Sequence, residues 1–261
     1  MAEDGQARAR IAAAGDVHMR PGLERRFGDQ LEELDGAADL LLVAGDLTAT
    51  GAIDEGEALA RALRRAPIAV VAVLGNHDCN LDHHAEIAAL LEHAGVHVLG
   101  RGRTHYVLPG GSVGVAGTKG FVGGFRESRL PDFGEPLLRQ VYGETSAEAD
   151  AIARGLQAIV HCDVRIVLLH YAPVLDTLEG EPPGIYTYLG SERLARPIAE
   201  NGADLVLHGH AHAGSFQGCI GDIPVYNVAV HVTGRNFWIV ELDGSGVRRG
   251  GEVVEVREPQ Q

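Results

Sequence analysis

Five short apolar runs, each followed by a turn rich in histidine, aspartate or asparagine, constrain the fold of this chain more than any other feature. The runs are residues 11–14, 40–44, 70–74, 167–169 and 205–207, and they lead into Asp16, Asp46, Asn76, His170 and His210. Buried strands that end in polar, glycine-containing turns deliver their side chains to the carboxyl edge of an α/β sheet, where ligands bind. The pattern therefore predicts an α/β protein in which residues distant in sequence share one site.

The first hundred residues alternate between strand and helix patterns. Residues 24–34, 53–65 and 81–94 carry apolar residues at helical spacing, with buried runs between them at 40–44 and 68–74. Gly95 is a common type of C-terminal cap for the third helix. This order predicts parallel strands joined by right-handed crossovers.

The second half of the sequence is less regular. The patterns predict a hairpin at residues 106–108 and 113–116, a polar excursion at 126–143, helices at 145–157 and 192–200 (interrupted near Pro197), a proline-containing loop at 171–190 and strands from 216 to 256. No repeat or linker divides the sequence, so we expect one domain over residues 1–261. Residues 1–8 are expected to be flexible, and residues 117–143 to lie near the site.

Composition excludes several classes of protein. Hydrophobic residues make up 45% of the 261 residues, and no apolar run approaches the roughly 18 residues of a spanning helix, so neither disorder nor a membrane protein is indicated. The apolar run at 11–14 is too short for a signal peptide. Three scattered cysteines are not a disulfide framework, which favours the reducing cytoplasm. Nothing in the sequence sets the oligomeric state.

The five polar turns also form an ordered set of motifs. They are Asp-x-His from Asp16 to His18, Gly-Asp with a later Gly at residues 45–51, Gly-Asn-His-Asp at 75–78, His170, and Gly-His-x-His at 209–212. In this order, with Asp16, Asp46 and Asn76 each 30 residues apart, they resemble the signature of the calcineurin-like metallophosphoesterase superfamily over most of the chain. The resemblance implies a four-layer α/β/β/α sandwich of two mixed sheets with flanking helices.

The resemblance further implies a site for two divalent metal ions. Asp16, His18 and His212 would hold the first ion, Asn76, His170 and His210 would hold the second, and Asp46 would bridge them. Imidazoles combined with hard oxygen ligands suit Mn, Fe or Zn better than Ca or Mg. The set contains no cysteine, which argues against a purely structural zinc site.

The implied chemistry is hydrolysis of a phosphoester bond. A hydroxide bridging the two cations would attack phosphorus in line with the leaving oxygen. His77 is not a metal ligand in the family pattern and would assist the leaving group. Asp78 would orient the His77 ring by accepting its other N–H, and the alternative role for Asp78 is a helix cap.

Several residues outside the motifs are candidates for substrate contact. The glycine-rich residues 117–125 form either a loop beside the site, with Lys119, Phe121 or Arg126 meeting substrate, or a plain connection. Tyr171 and residues 186–188 could form a pocket wall. For His208 a packed strand residue is the favoured interpretation, and for His231 a pocket role is the minority one.

Departures from the family pattern narrow the expected substrate. Ala49 and Thr50 occupy the positions of the Asp-Arg pair of phosphoprotein phosphatases, and Asp78 replaces their Glu, so that activity is not expected. The chain looks closer to small bacterial phosphodiesterases, including members that cleave cyclic nucleotides. A net charge of −14 favours a small phosphorylated substrate over long nucleic acid.

Two alternatives remain beside small phosphodiesters. The first is a phosphomonoesterase or nuclease of the same superfamily, because fold and metals do not select a substrate. The second is a non-catalytic scaffold that keeps the fold for partner binding. A scaffold would be expected to lose ligands, and this sequence has lost none of the family set.

Overall fold

Two six-stranded sheets face each other in the structure, a computed structural model that describes residues 9–243 and 246–247. Predicted strands and helices of the first hundred residues are present with small shifts in their bounds. They are β1 (Ala9–Ala14), α1 (Glu24–Glu32), β2 (Leu40–Ala44), α2 (Ile53–Leu63), β3 (Ala69–Val73), α3 (His84–His93) and β4 (Val96–Val98).

The second half of the chain adds eight strands and four helices among the described residues. They are β5 (Gly102–Leu108), β6 (Gly111–Gly117), α4 (Pro136–Ala158), β7 (Val164–Leu168), α5 (Tyr186–Leu189), α6 (Glu192–Asn201), β8 (Leu205–His208), β9 (Gln217–Ile220), β10 (Ile223–Asn227), α7 (Val230–Thr233), β11 (Trp238–Asp243) and β12 (Gly246–Val247). The prediction of strand structure extended to residue 256, and its residues 248–256 lie outside the described residues.

Both sheets are mixed. The first has the order β12-β11-β1-β2-β3-β4 and the second β5-β6-β7-β8-β10-β9. Strands β1 to β4 are parallel, and β11 pairs antiparallel with β1, where Ile11 lies opposite Val240. In the second sheet β6, β7, β8 and β10 are parallel, while β5 and β9 pair antiparallel.

Alternation along the strands builds three apolar layers. Ile11 and Leu42 point inward and pack against residues of the second sheet such as Ile166. Their neighbours in sequence, such as Leu41, point outward and pack under α1, α2 and α3. The outer face of the second sheet packs in the same way against α4 and α6. The four-layer α/β/β/α sandwich is thus confirmed.

Helix α4 is the largest difference from the prediction. It begins at Pro136 instead of residue 145, so the polar excursion is shorter than residues 126–143. Leu137 and Leu138 are exposed, by 69% and 52%, and burial along the helix begins near Thr145. A solvent-exposed first third leaves no apolar periodicity to detect.

Three smaller predictions about helices are also wrong. Helix α3 starts at His84, three residues later than predicted. Pro197 lies inside α6 without interrupting it, because the flanking Leu194 and Ile198 pack into the core and outweigh one lost hydrogen bond. The predicted loop at 171–190 contains the short helix α5.

No helix within residues 9–243 combines the length and the apolar character needed to cross a bilayer.

Candidate metal centre

The carboxyl ends of five parallel strands, three from the first sheet and two from the second, meet at one place. Strand β1 leads into Asp16 and His18, β2 into Asp46, β3 into Asn76, β7 into His170 and β8 into His210 and His212. Side chains from both sheets therefore contribute to the same centre, as the five apolar runs predicted.

The first group of potential ligands comprises Asp16, His18, Asp46 and His212, whose ligand atoms all lie within 4.8 Å of one another. His212 Nε2 is 2.9 Å from Asp16 Oδ1. His18 Nε2 is 4.0 Å from Asp46 Oδ2. The backbone N–H of His210 donates to both oxygens of Asp16 and fixes that carboxylate in place.

The second group comprises Asp46, His170 and His210, again within 4.8 Å. His170 Nε2 lies 3.3 Å from Asp46 Oδ1 and 2.9 Å from Asn76 Oδ1. The amide side chain of Asn76 therefore joins this group. Asp46 is common to both groups, which is the arrangement that two cations joined by one carboxylate require.

Left-handed backbone at four of these residues directs their side chains to the centre. The φ angles are 60° at Asp16, 46° at His18, 47° at Asp46 and 70° at His210. Non-glycine residues rarely adopt such angles, and strain of this kind is concentrated at functional sites.

Three glycines of the motifs let these side chains approach the backbone closely. A Cβ atom at Gly45 would lie 2.5 Å from His170 Nδ1, one at Gly75 would overlap the Asp46 carboxylate, and one at Gly209 would overlap that of Asp16. In the last motif the left-handed residue is His210, and Gly209 supplies space.

Backbone carbonyls orient two of the imidazole rings. His170 Nδ1 is 2.9 Å from the carbonyl oxygen of Ala44, and His210 Nε2 is 3.2 Å from that of Tyr188. A carbonyl oxygen can only accept, so each of these nitrogens carries the hydrogen. The opposite nitrogen of each ring is left with a free lone pair, as a metal ligand needs.

The protonation states of the histidine and aspartate side chains in the centre also favour the binding of cations. Burial lowers the pKa of His170 and of His210 to about 4, so both rings are neutral at neutral pH. Burial, and then the charge of Asp16, raises the pKa of Asp46. Burial acts to raise the pKa of Asp16 too, but the hydrogen bond from His212 and the neighbouring imidazoles lower it overall. The two buried carboxylates, together with the neutral rings of His170 and His210, fit divalent transition metals.

His77 lies at the edge of the centre, where its Nε2 is 3.8 Å from Asp46 Oδ2. Its Nδ1 is 2.6 Å from the carbonyl oxygen of Ala49, and its backbone N–H donates to Asp46 Oδ1 at 2.8 Å. The ring is thus held with Nε2 toward the two groups of ligands. The half-exposed side chain leaves room for a substrate atom beside it.

The prediction that Asp78 orients the His77 ring is wrong, because the partner of that ring is the Ala49 carbonyl. Asp78 is fully buried and accepts hydrogen bonds from the backbone N–H groups of Leu47, Thr48 and Gly75 and from the Thr48 hydroxyl. Burial raises its pKa to about 6. Asp78 therefore joins the turn after β2 to the turn after β3.

A comparison with protein families shows which family the chain belongs to. The sequence model described as calcineurin-like phosphoesterase matches residues 9–214, which include all seven predicted ligands. The chain belongs to the calcineurin-like phosphoesterase family. It is accordingly a metal-dependent phosphoesterase. None of the curated proteins compared with the sequence matches it.

Solved structures resemble this phosphoesterase at low sequence identity. Phosphopantetheinyl hydrolase from Mycobacterium tuberculosis has a TM-score of 0.62 and 16% identity, with 87% of this chain and 91% of that chain covered. A putative 5'-nucleotidase from Staphylococcus aureus has a TM-score of 0.59 and 16% identity over 92% of this chain and 52% of that one, so the phosphoesterase spans about half its length.

A third structure with the same fold is GAP50, the anchor in the inner membrane complex of Plasmodium. Its TM-score is 0.58 at 11% identity, with 92% of this chain and 83% of that chain covered. At such identities the likeness establishes the fold and leaves the substrate open.

Other candidate residues of the phosphoesterase divide into those beside the centre and those apart from it. The His231 ring stacks on His212, with centroids 4.3 Å apart. Tyr171 packs on His210 at 4.5 Å, and Lys119 lies over the Tyr171 and Phe121 rings. His208 is a buried strand residue bonded to Thr177, as favoured. Arg126 is exposed, and its backbone N–H donates to Glu192.

The residues that sequence reasoning missed act mainly through their backbone. The carbonyl oxygens of Ala44, Ala49 and Tyr188 orient three of the rings. A carbonyl is present at every position, so its use carries no sequence signal. Glu148 was also missed, and its buried carboxylate binds both neighbours of Lys119.

Proposed function

We propose that this phosphoesterase hydrolyses small phosphodiesters with a pair of divalent metal ions, and that His77 assists the leaving group. The observation that carries the proposal is the position of Asp46, which belongs to both groups of ligands and also accepts the backbone N–H of His77. The reacting phosphoryl group would therefore lie beside the two groups of ligands that share Asp46, next to the His77 ring.

The residues present fit a dinuclear site. Asp16, His18 and His212 would hold one ion, Asn76, His170 and His210 the other, and Asp46 both. The mixture of imidazole and oxygen donors favours Mn, Fe or Zn. When bound, such a pair of ions lowers the pKa of a shared water and neutralises charge on the phosphoryl oxygens.

His77 would donate a proton or hydrogen bond from Nε2 to the departing oxygen. The Ala49 carbonyl holds Nδ1–H, so Nε2 is the nitrogen that meets the substrate. Protonation of a leaving oxygen matters most when the alcohol is a poor leaving group, because an unstable alkoxide would otherwise form.

A diester fits the charge of the site better than a monoester. A monoester carries about −1.5 to −2 charge at pH 7, whereas a diester lacks the second ionisable oxygen and carries about −1. Thr50 occupies the position of the arginine that binds phosphate in phosphoprotein phosphatases, so that contact to a phosphoryl oxygen is missing here. The net charge of −14 adds to the preference for a small substrate over long nucleic acid.

The test compares kcat of Mn-loaded His77→Gln with kcat of the Mn-loaded unmodified enzyme on two diesters. One diester has a nitrophenol leaving group and the other a simple alkyl alcohol. We expect His77→Gln to lower kcat roughly 10²–10⁴-fold on the alkyl diester, the usual contribution of a general acid. The loss on the nitrophenyl diester should be much smaller, since nitrophenolate needs little protonation.

Equal losses on the two diesters would remove His77 from the leaving-group step. Thermal unfolding of the variant should match that of the unmodified enzyme, which excludes a folding defect. Faster turnover of aryl monoesters than of diesters would favour the phosphomonoesterase alternative, and salt-sensitive degradation of oligonucleotides would favour a nuclease.

We also propose that residues 1–261 act as one unit in a reducing compartment such as the cytoplasm. Asp46 from the first sheet and His170 from the second sheet complete the same group of ligands, which supports a single unit. Cys79, Cys162 and Cys219 are free thiols in the structure. Fractionation of cells that express the natural protein would test the location.

A further inference from the structure

Lys119 is the only lysine in the 261-residue sequence, whose other basic side chains are arginines and histidines. It follows β6 at the carboxyl edge of the second sheet, next to the strand that leads to His170. The Lys119 carbonyl oxygen accepts the backbone N–H groups of His170 and Tyr171. The backbone of this lysine is therefore part of the wall of the metal centre.

A buried carboxylate fixes the turn that carries Lys119. Glu148 of α4, only 2% exposed, accepts hydrogen bonds from the Thr118 hydroxyl and from the backbone N–H of Gly120, the two neighbours of Lys119. Arg101 neutralises Glu148 from the other side at 2.9 Å. Burying the Glu148 carboxylate costs desolvation free energy even though it is paired. Because this carboxylate holds the turn on both sides of Lys119, we infer that the fixed position of Lys119 serves the site.

The ammonium group of Lys119 is held without a carboxylate partner among the described residues. Its Nζ lies 4.5 Å from the centroid of the Phe121 ring and 5.2 Å from that of Tyr171, and it donates to the Gly120 carbonyl at 3.3 Å. The same Tyr171 ring packs against His210 at 4.5 Å and His170 at 5.4 Å. The cation is thus one aromatic ring away from the second group of ligands.

The positive charge of Lys119 also acts on the turn that follows β3 and carries Cys79. Burial raises the pKa of the Cys79 thiol, and Lys119 opposes that shift. Because no carboxylate among the described residues forms an ion pair with the Lys119 ammonium, this group is available to attract an anion.

We propose that Lys119 binds a phosphoryl oxygen of the substrate and replaces, from the opposite sheet, the phosphate-binding arginine that Ala49 and Thr50 lack. This inference rests on the proposed function. A lysine suits the position because a compact ammonium on a flexible stem can lie over two aromatic faces and still reach an oxygen.

The single lysine allows a direct test by chemical labelling. Native Mn-loaded enzyme is treated with formaldehyde and cyanoborohydride, then unfolded and digested with a lysine-specific endoproteinase. That protease cuts the unmodified chain only after Lys119, and methylation blocks the cut. We expect saturating inorganic phosphate to slow methylation several-fold, as a charge-assisted hydrogen bond requires. An unchanged rate with phosphate bound would overturn the proposal.

Substitutions test the same contact by affinity. Lys119→Met keeps the apolar stem and should weaken inorganic phosphate as a competitive inhibitor roughly ten-fold, the effect of losing one charged hydrogen bond. Lys119→Arg should lose less because it keeps the charge. The control is Arg154→Met, which removes an exposed charge from α4. Equal inhibition constants for Lys119→Met and Arg154→Met would overturn the proposal.

Failure of this inference can be distinguished from failure of the proposed function. If the unmodified enzyme hydrolyses diesters but phosphate does not protect Lys119 from methylation, only the proposed role of Lys119 is wrong. If no diester is hydrolysed while phosphate protects Lys119, the anion site stands and the proposed substrate is wrong. Matching thermal unfolding of Lys119→Arg and the unmodified enzyme excludes a folding defect.

Discussion

At the scale of single residues, the centre depends on atoms that approach unusually closely. A Cβ atom at Gly75 would overlap the carboxylate of Asp46, one at Gly45 would overlap His170, and one at Gly209 would overlap Asp16. Each glycine is needed because it has no side chain, and a candidate ligand occupies the space where its Cβ would be. Asp46 is the most constrained, because it also lies between the two groups of ligands.

Replacing Gly75 by alanine should weaken metal binding strongly while the fold survives. The new methyl group would overlap the Asp46 carboxylate, so Asp46 must move or the turn must shift, at roughly 1–3 kcal/mol, the usual cost of overpacking. Calorimetric titration with Mn measures the loss. The matched control is Gly143→Ala in α4, where a Cβ meets nothing within 4 Å and affinity should not change.

Equal Mn affinity in Gly75→Ala and Gly143→Ala would show that Asp46 does not need that space.

The identity of the candidate ligands could be inferred from the sequence, but their supports could not. The pairing of each histidine or aspartate with a strand end was visible in the apolar runs, and the structure brings all seven together. The partner of His77 was not visible, because a carbonyl oxygen at Ala49 looks like any other. Likewise, Asp78 follows the motif of an orienting residue yet binds backbone N–H groups instead.

At the scale of helices and strands, buried elements were predictable and exposed ones were not. Strand β2 has the predicted bounds because all five of its residues are buried. The exposed start of α4 around Leu137 and Leu138 carries no such pattern. The rule that a proline interrupts a helix also failed at Pro197, because tertiary packing keeps α6 continuous there.

Helix caps offer a prediction at this scale. Ser191, fully buried, caps α6 by accepting the backbone N–H of Arg193, whereas Ala52 at the same position of α2 offers no cap. Ser191→Ala should lower the free energy of unfolding by about 1 kcal/mol, and Ala52→Ser should raise it by a similar or smaller amount. Urea unfolding monitored by circular dichroism measures both. Changes of the same sign in the two variants would contradict this account of the caps.

At the scale of the whole molecule, the site lies where two sheets meet and the interior holds several buried imidazoles. His208 is fully buried between the Thr177 hydroxyl and the Gly209 carbonyl, and burial lowers its pKa to about 4. Its value in the unfolded chain is near 6.5. Between these two values the unfolded chain binds the proton more readily than the folded one.

The metal-free protein should therefore lose stability as the pH falls from 6.5 toward 4. Each such imidazole contributes up to about 1.4 kcal/mol per pH unit in that window. Raised pKa values at Asp46 and Asp78 act in the opposite direction, so the contribution of His208 must be isolated. Urea unfolding of the protein and of His208→Gln, in chelator at pH 7 and pH 5, does so.

The free energy of unfolding should fall less between pH 7 and pH 5 in His208→Gln than in the unmodified protein. An equal fall in both would mean that His208 is charged inside the folded protein or does not contribute.

The central claim is that residues from both sheets converge on two cations joined by Asp46. Titration of the metal-free protein with Mn, followed by electron paramagnetic resonance, tests it most directly. We expect two Mn per chain with a spectrum of exchange-coupled ions, and loss of the coupling in Asp46→Asn. Binding of one ion or none per chain, or of two uncoupled ions in the unmodified protein, would contradict the shared centre.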